Sequence, residues 1–306
     1  MIHFFVIHVA HHHERLETFR RRMELMPKEW FSFEIIDAVV HEKGMEGCRQ
    51  SHQKVIEIAK ERNLDCCWVL EDDVLFTTVN TVLHSRNIIE LENNTRWKQH
   101  IESNHFKKLH DVLIWGQNLV MADDIDYFLG GAHGILHNDE IHPQDTIPLT
   151  PQPQRKFRGT VKEIPVMTVS EIQRSFDHNN YYSPRRPVSY RSPHQLVSFP
   201  SSGLHCVCYG SRRAYDAVLR APPKMHIDVY LSYLTYAHGL KMLYKWAHRV
   251  VEDVTILKAG IVFPFVAIAY TARSSIRDET CEYDEEMDYF IGAEQRVQYF
   301  LDQKKA

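Results

Sequence analysis

Residues 66 to 76 read Cys66-Cys67-Trp68-Val69-Leu70-Glu71-Asp72-Asp73-Val74-Leu75-Phe76, an apolar run that ends in three consecutive acids. Four to eight apolar residues in a row mark a strand buried on both faces. An unpaired carboxylate inside such a strand costs several kcal/mol or is forced to take up a proton. Glu71, Asp72 and Asp73 are therefore expected at the strand's exit. In an open α/β sheet the exit of the strands is where ligands bind. Clustered oxygen donors there suit Mg²⁺ or Mn²⁺ carrying a phosphorylated substrate. The plainer reading is an acidic turn that faces solvent.

Working outward, the flanking segments alternate. His3 to Val9 reads as a strand, and Glu14 to Met26 as a charged amphipathic helix stopped by Pro27. Phe31 to Val40 reads as a second strand. Ser51 then offers a cap for a helix from Gln53 to Arg62 that buries Val55, Ile56 and Ala59. This β-α-β-α-β order predicts an α/β fold with a mostly parallel central sheet, right-handed crossovers and flanking helices. A first strand near the middle of the sheet would offer its carboxyl end to a nucleotide. Neither GxGxxG nor GxxxxGK[ST] is present, which disfavours a dinucleotide-binding Rossmann fold or a P-loop.

Further along, residues 81 to 110 read as polar helix and Val112-Leu113-Ile114-Trp115 as a strand ending at Gly116. Nine of the 13 prolines fall between Pro143 and Pro200, so that stretch makes neither long helices nor central strands. It reads as a long Pro-rich insertion, either a variable surface loop or a lid over an acceptor. Regular structure resumes with a strand over Gly203 to Tyr209 and a helix from Ser211 to Arg220. Asp228 then stands as a helix cap or as a general base. Strands over Lys241 to Trp246 and Val262 to Ala269, and a polar helix from Met287 to Leu301, complete the reading.

With 306 residues, 44% hydrophobic and 25% charged, the composition is that of a folded globular protein. The formal charge of -4 offers no general attraction to nucleic acid or to an anionic membrane. No apolar stretch reaches the roughly 18 residues of a membrane span, and Phe4 to Ile7 is too short for a signal-peptide core. The expectation is a soluble, cytoplasmic chain. Its six cysteines suit neither a disulfide framework nor paired zinc knuckles. His11, His12 and His13 follow the first strand and read as an exposed loop, with a place beside a bound phosphate as the alternative.

Four stretches in order resemble glycosyltransferase family 25, the group of lipooligosaccharide and procollagen galactosyltransferases. They are Phe5-Val6-Ile7-His8-Val9-Ala10 with Arg15 behind it, Gly47-Cys48-Arg49-Gln50-Ser51-His52, Val69 to Val74, and Gly203-Leu204-His205 leading to Ile227-Asp228. The likeness spans residues 1 to about 76 well and 203 to 276 loosely. It implies a GT-A-like, Rossmann-related single domain over 1–306, with a nucleotide-sugar half (1–136), the insertion or lid (137–200) and an acceptor-side half (201–306).

What the resemblance implies further is an inverting, Mn²⁺- or Mg²⁺-dependent transferase. It would move a hexose or pentose from a nucleoside diphosphate sugar, a UDP-sugar first, to a hydroxyl of a glycan or glycoprotein. Glu71, Asp72 and Asp73 would stand for the family's metal-binding motif. His8, Val9, Arg15, Ser51 and His52 would lie on the nucleotide sugar, Gly203 and His205 on the acceptor side, and Asp228 would be the base. The pattern departs at His8-Val9, where the family has Asn-Leu, and at Ser274-Ser275-Ile276, where it has Ser-Asp-Ile. A carbohydrate-binding protein without activity and a metal-dependent hydrolase are the competing readings.

Overall fold

The protein is described from a computed structural model over residues 1–76, 103–132, 134–135, 194–198, 201–235, 256–269 and 297. Outside these lie most of the 137–200 insertion, the expected helix over 81–102, the expected strand Lys241 to Trp246, Ser274 to Ile276, and nearly all of the expected C-terminal helix. Among the described residues no helix is long and apolar enough to cross a membrane.

Seven strands form one sheet. The first three are β1 (Ile2–His8), β2 (Phe31–Asp37) and β3 (Cys66–Glu71); the rest are β5 (Tyr127–Leu129), β7 (Gln195–Val197), β9 (Cys206–Gly210) and β10 (Ala259–Phe263). Short strands β4 (Val74–Phe76), β6 (Gly134–Ile135), β8 (Ser201–Ser202) and β11 (Ala267–Ala269) pair outside it, β4 with β11 and β6 with β8. In space the sheet runs β2-β1-β3-β9-β5-β10-β7. β1 is parallel to both β2 and β3, β9 is antiparallel to β3 and β5, β10 is parallel to β5, and β7 is antiparallel to β10. The sheet is thus mixed, with β9 and β7 opposed to the rest.

Alternation along the strands sorts the core into two layers. Phe4, Val6, Trp68, Leu70, Cys206 and Cys208 point to one face, where they pack with α1 (His13–Glu24) and α3 (Ser103–Met121). Phe5, Ile7, Cys67, Val69, Val207 and Tyr209 point to the other, against α2 (Gly44–Glu61), α4 (Arg213–Leu219) and α5 (Ile227–Tyr233). From β1 the chain crosses by α1 to β2, then by α2 back past β1 to β3. Right-handed crossovers in opposite directions place their helices on opposite faces, as seen, with the carboxyl ends of β1 and β3 side by side.

Three expectations about elements are corrected. Val112 to Trp115 lies inside α3 rather than in a strand. Phe106, Leu109, Leu113, Leu119 and Val120 are its buried apolar side chains, a helical spacing that a window of four apolar residues hides. Gly116 lies within this helix, where a Cβ would stand 2.6 Å from the Phe128 ring. The second helix begins at Gly44 rather than at Gln53, so Ser51 is in its interior and caps nothing. The expected strand Val262 to Ala269 is two, β10 ending at Phe263 and β11 beginning at Ala267, whereas the acidic strand exits as expected, stopping at Glu71 and turning through Asp72 and Asp73 before β4 pairs with β11.

Candidate functional site

The acidic turn does not face solvent. Asp72 is 3% exposed and Asp73 7%, both at the carboxyl end of β3 next to the end of β1. His8, the last residue of β1, donates from Nδ1 to Asp72 Oδ2 at 2.6 Å. Arg15, from the first turn of α1, donates to Asp72 Oδ1 and pairs with Asp73 Oδ2 at 3.0 Å. The backbone supports the turn, with Asp72 N donating to the Ile7 carbonyl at 3.2 Å. Burial works against the charge of Arg15, but the carboxylates of Asp73, Asp72 and Glu71 outweigh it and hold the guanidinium above its ordinary pKa. Three elements thus close one polar network, with each Asp72 oxygen bonded to a cationic or imidazole N–H.

Glu71 goes the other way. As the last residue of β3 it projects on the side of Val69 and Cys67, toward α2. Its Oε1 stands 3.7 Å from His52 Nε2. His52 is fully buried, and its Nδ1 shares a 3.1 Å hydrogen bond with the Tyr209 hydroxyl of β9. Its Nε2 has no hydrogen-bond partner. Burial pushes the Glu71 carboxyl up, but His52, then His205 and Arg15, more than offset this and leave its pKa lowered. The three acids therefore do not form one cage, because a strand sends successive side chains to opposite faces. Among the described residues the group whose donor atoms all lie within 4.8 Å of one another is Cys48, His52 and Glu71.

Local chemistry explains how α2 brings Cys48 and His52 there. Ser51 Oγ donates to the Gly47 carbonyl at 2.6 Å and accepts from Val39 N at 2.8 Å, pinning the loop after β2 to the helix. Gly47 admits that loop, since a Cβ on it would stand 2.6 Å from the Val39 carbonyl. On the same helix Arg49 donates to Glu46 Oε2 at 3.0 and 2.7 Å and to the Ala221 carbonyl at 3.2 Å. Glu46 in turn accepts from the Lys224 backbone N–H. Ser51 and Arg49 thus serve the seating of the helix.

The second half of the chain contributes from the β8–β9 loop and α5. Gly203, at φ 97°, is in a backbone conformation that favours glycine, and its N–H donates to Asp228 Oδ2 at 3.1 Å. Asp228 Oδ1 accepts from Val229 N at 2.8 Å. The N-cap position of α5 is occupied by His226 rather than by Asp228, which lies in the first turn and ties the loop to the helix. His205 is buried and its Nε2–H donates to the Ala267 carbonyl at 3.1 Å, while its own carbonyl accepts from Glu71 N at 3.1 Å. Burial lowers its pKa. Its Nε2 thus ties the start of β9 to β11.

Of the histidine run, His11 and His13 are exposed and His12 is partly buried. Val9 lies in the β1–α1 turn, its carbonyl accepting from His12 N at 2.8 Å. The five described cysteines are free thiols. Burial, then the charges of Glu71, Asp228 and Asp73, hold the Cys48 thiol well above its ordinary pKa.

Cys48 and Tyr209 carry no role in the sequence reading. The signal for Cys48 was its spacing from His52, i and i+4 on one helix face. A helix begun at Gln53 leaves both in a loop and hides it. No family model matches the chain, and no curated protein does.

Proposed function

We propose that this chain is a metal-dependent inverting glycosyltransferase with a GT-A-like fold. It moves a hexose or pentose from a nucleoside diphosphate sugar to a hydroxyl of a glycan or glycoprotein acceptor. The observation that carries the reading is the pair of buried acids Asp72 and Asp73 at the carboxyl end of β3, gathered with His8 from the end of β1 and Arg15 from α1. The resemblance over residues 1 to about 76 and, loosely, 203 to 276 names the chemistry, and that arrangement supports it.

The donor set decides which acids would hold Mn²⁺ or Mg²⁺. Asp72 is committed to His8 and Arg15, so it is a positioning residue. Asp73, which also pairs with Arg15, is the acid that would hold the cation, in keeping with sites in which one or two carboxylates and substrate phosphates share a hard ion. The ion would supply charge stabilisation to the departing diphosphate. Arg15, at 22% side-chain exposure and beside Asp73, would add to the same stabilisation. Asp228 takes the proton of the acceptor hydroxyl as it attacks the anomeric carbon. Its oxygens each accept one backbone N–H and keep a further lone pair for that proton. Gly203 and Val229 hold the carboxylate in place.

A panel of nucleotide sugars with and without Mn²⁺, scored by thermal shift and by nucleotide release, tests this. Stabilisation by UDP-sugars only when manganese is present, with nucleotide release on adding a glycan acceptor, is the expected result. A flat response across the panel removes the reading, and free sugar in place of a glycosylated product replaces it with hydrolysis.

A further inference from the structure

The Cys48, His52 and Glu71 group stands apart from the closed Asp72 network. Cys48 and His52 are one helical turn apart on α2, and Glu71 reaches toward them from β3. His52 is fully buried, and the nitrogen that faces Glu71 has no hydrogen-bond partner. A buried polar atom in that condition costs free energy that a ligand would recover.

We infer that Cys48 Sγ, His52 Nε2 and the Glu71 carboxylate form a binding site for one thiophilic divalent cation of the zinc class. Metal–donor bonds of about 2.0–2.3 Å put tetrahedral ligand atoms about 3.5 Å apart. The His52–Glu71 pair stands at 3.7 Å and the whole group lies within 4.8 Å, so side-chain adjustment alone closes it. The outer shell is also in place: the Tyr209 hydroxyl meets His52 Nδ1, as a ligating histidine requires of its second nitrogen. Coordination exchanges the Cys48 thiol proton for the metal, and that proton leaves to solvent. The negative surroundings that disfavour a bare thiolate at Cys48 favour a cation there. A sulfur, an imidazole and one carboxylate select Zn²⁺ or Co²⁺ over Mg²⁺ and Mn²⁺. Three protein ligands leave a fourth position open, and Glu71, at 26% side-chain exposure, marks the solvent side.

This site does not rest on the glycosyl-transfer reading, and its test uses no nucleotide sugar. Co²⁺ is titrated into the full chain while the thiolate-to-cobalt charge-transfer absorption is followed, and Zn²⁺ is then added. One Co²⁺ per chain with a sulfur band, displaced by one equivalent of Zn²⁺, is expected. The band vanishes in Cys48→Ser, weakens at least tenfold in affinity in Glu71→Gln, and persists in Lys60→Ala. Binding confined to the exposed histidines of the His11–His13 run gives no sulfur band and overturns the proposal. So does a band that survives in Cys48→Ser, which would belong to another cysteine.

A second measurement needs no variant. Zn²⁺ slows alkylation of Cys48 in the unaltered protein at least tenfold, mapped by peptide mass, while partly exposed Cys66 is labelled at the same rate. Equal labelling of Cys48 with and without Zn²⁺ sinks the site even if the serine variant fails to fold.

Discussion

The two sides of the β3 terminus differ in how completely their polar atoms are met. On the α1 side, His8, Arg15 and Asp72 close on one another within a buried network. Toward α2, His52 and Glu71 stand 3.7 Å apart, and the facing imidazole nitrogen has no hydrogen bond. A satisfied network rigidifies a site, whereas an incompletely satisfied one keeps free energy in reserve for a ligand. The difference gives Asp72 the task of fixing the turn and leaves Glu71 beside an unmet imidazole nitrogen. Sequence neighbours thus take different tasks.

The largest expected effect comes from breaking the closed side. Asp72→Ala leaves a guanidinium and an imidazole facing each other without their carboxylate, and removing one partner of a buried pair costs about 3–5 kcal/mol. Urea unfolding reads this directly, and a loss below about 1 kcal/mol would mean that the network is not structural. Next is Asp228→Asn, which under the proposed function lowers turnover by about 10²–10⁴ with donor binding retained. Asp73→Ala, in contrast, abolishes the manganese-stimulated part of both. Calorimetry and a product assay separate the two, and undiminished turnover in both variants would remove the assignments.

A smaller effect sharpens the open side through its scaffold. Gly47→Ala drives a Cβ against the Val39 carbonyl, and overpacking of this kind costs about 1–3 kcal/mol. It should also shift Cys48 and His52 together, seen as a loss of Co²⁺ affinity larger than that of an alanine at exposed Lys60. The mildest test is pH. Glu71 has a folded-state pKa below its ordinary 4.5, so its stabilising contribution is present above that value and fades as pH falls through the lowered one. Glu71→Gln should therefore flatten the acid limb of the stability profile below about pH 4.5 without changing the neutral plateau's slope. An unchanged acid limb would show that His52 and Glu71 do not interact.

Much of the first half was legible in the chain. Apolar runs bounded by helix and turn signals located β1, α1, β2 and β3, because burial on both faces of a strand and on one face of a helix leaves different periods. The acids after Leu70 had to be at an exit, since the strand interior could not hold them. Short windows failed where two periods look alike, as over Val112 to Trp115. Gly47 and Ser51 were misleading for a related reason. Both discourage helix in isolation, yet here the missing Cβ admits the Val39 backbone, and the serine hydroxyl bonds back to the Gly47 carbonyl.

By itself the order of residues determined the succession of β1, α1, β2 and β3, that a carboxylate cluster ends a buried strand, and that His8 ends the first strand with Arg15 behind it. Those are local matters of propensity and solvation. Only the tertiary structure decided that β9 runs antiparallel between β3 and β5, bringing Tyr209 onto His52 and Asp228 to the same end of the sheet. Strand pairing joins positions more than a hundred residues apart through backbone hydrogen bonds common to every residue, so no local pattern encodes the partner. The face that each acid chooses was decided there too, since it depends on where β3 gives way to its turn.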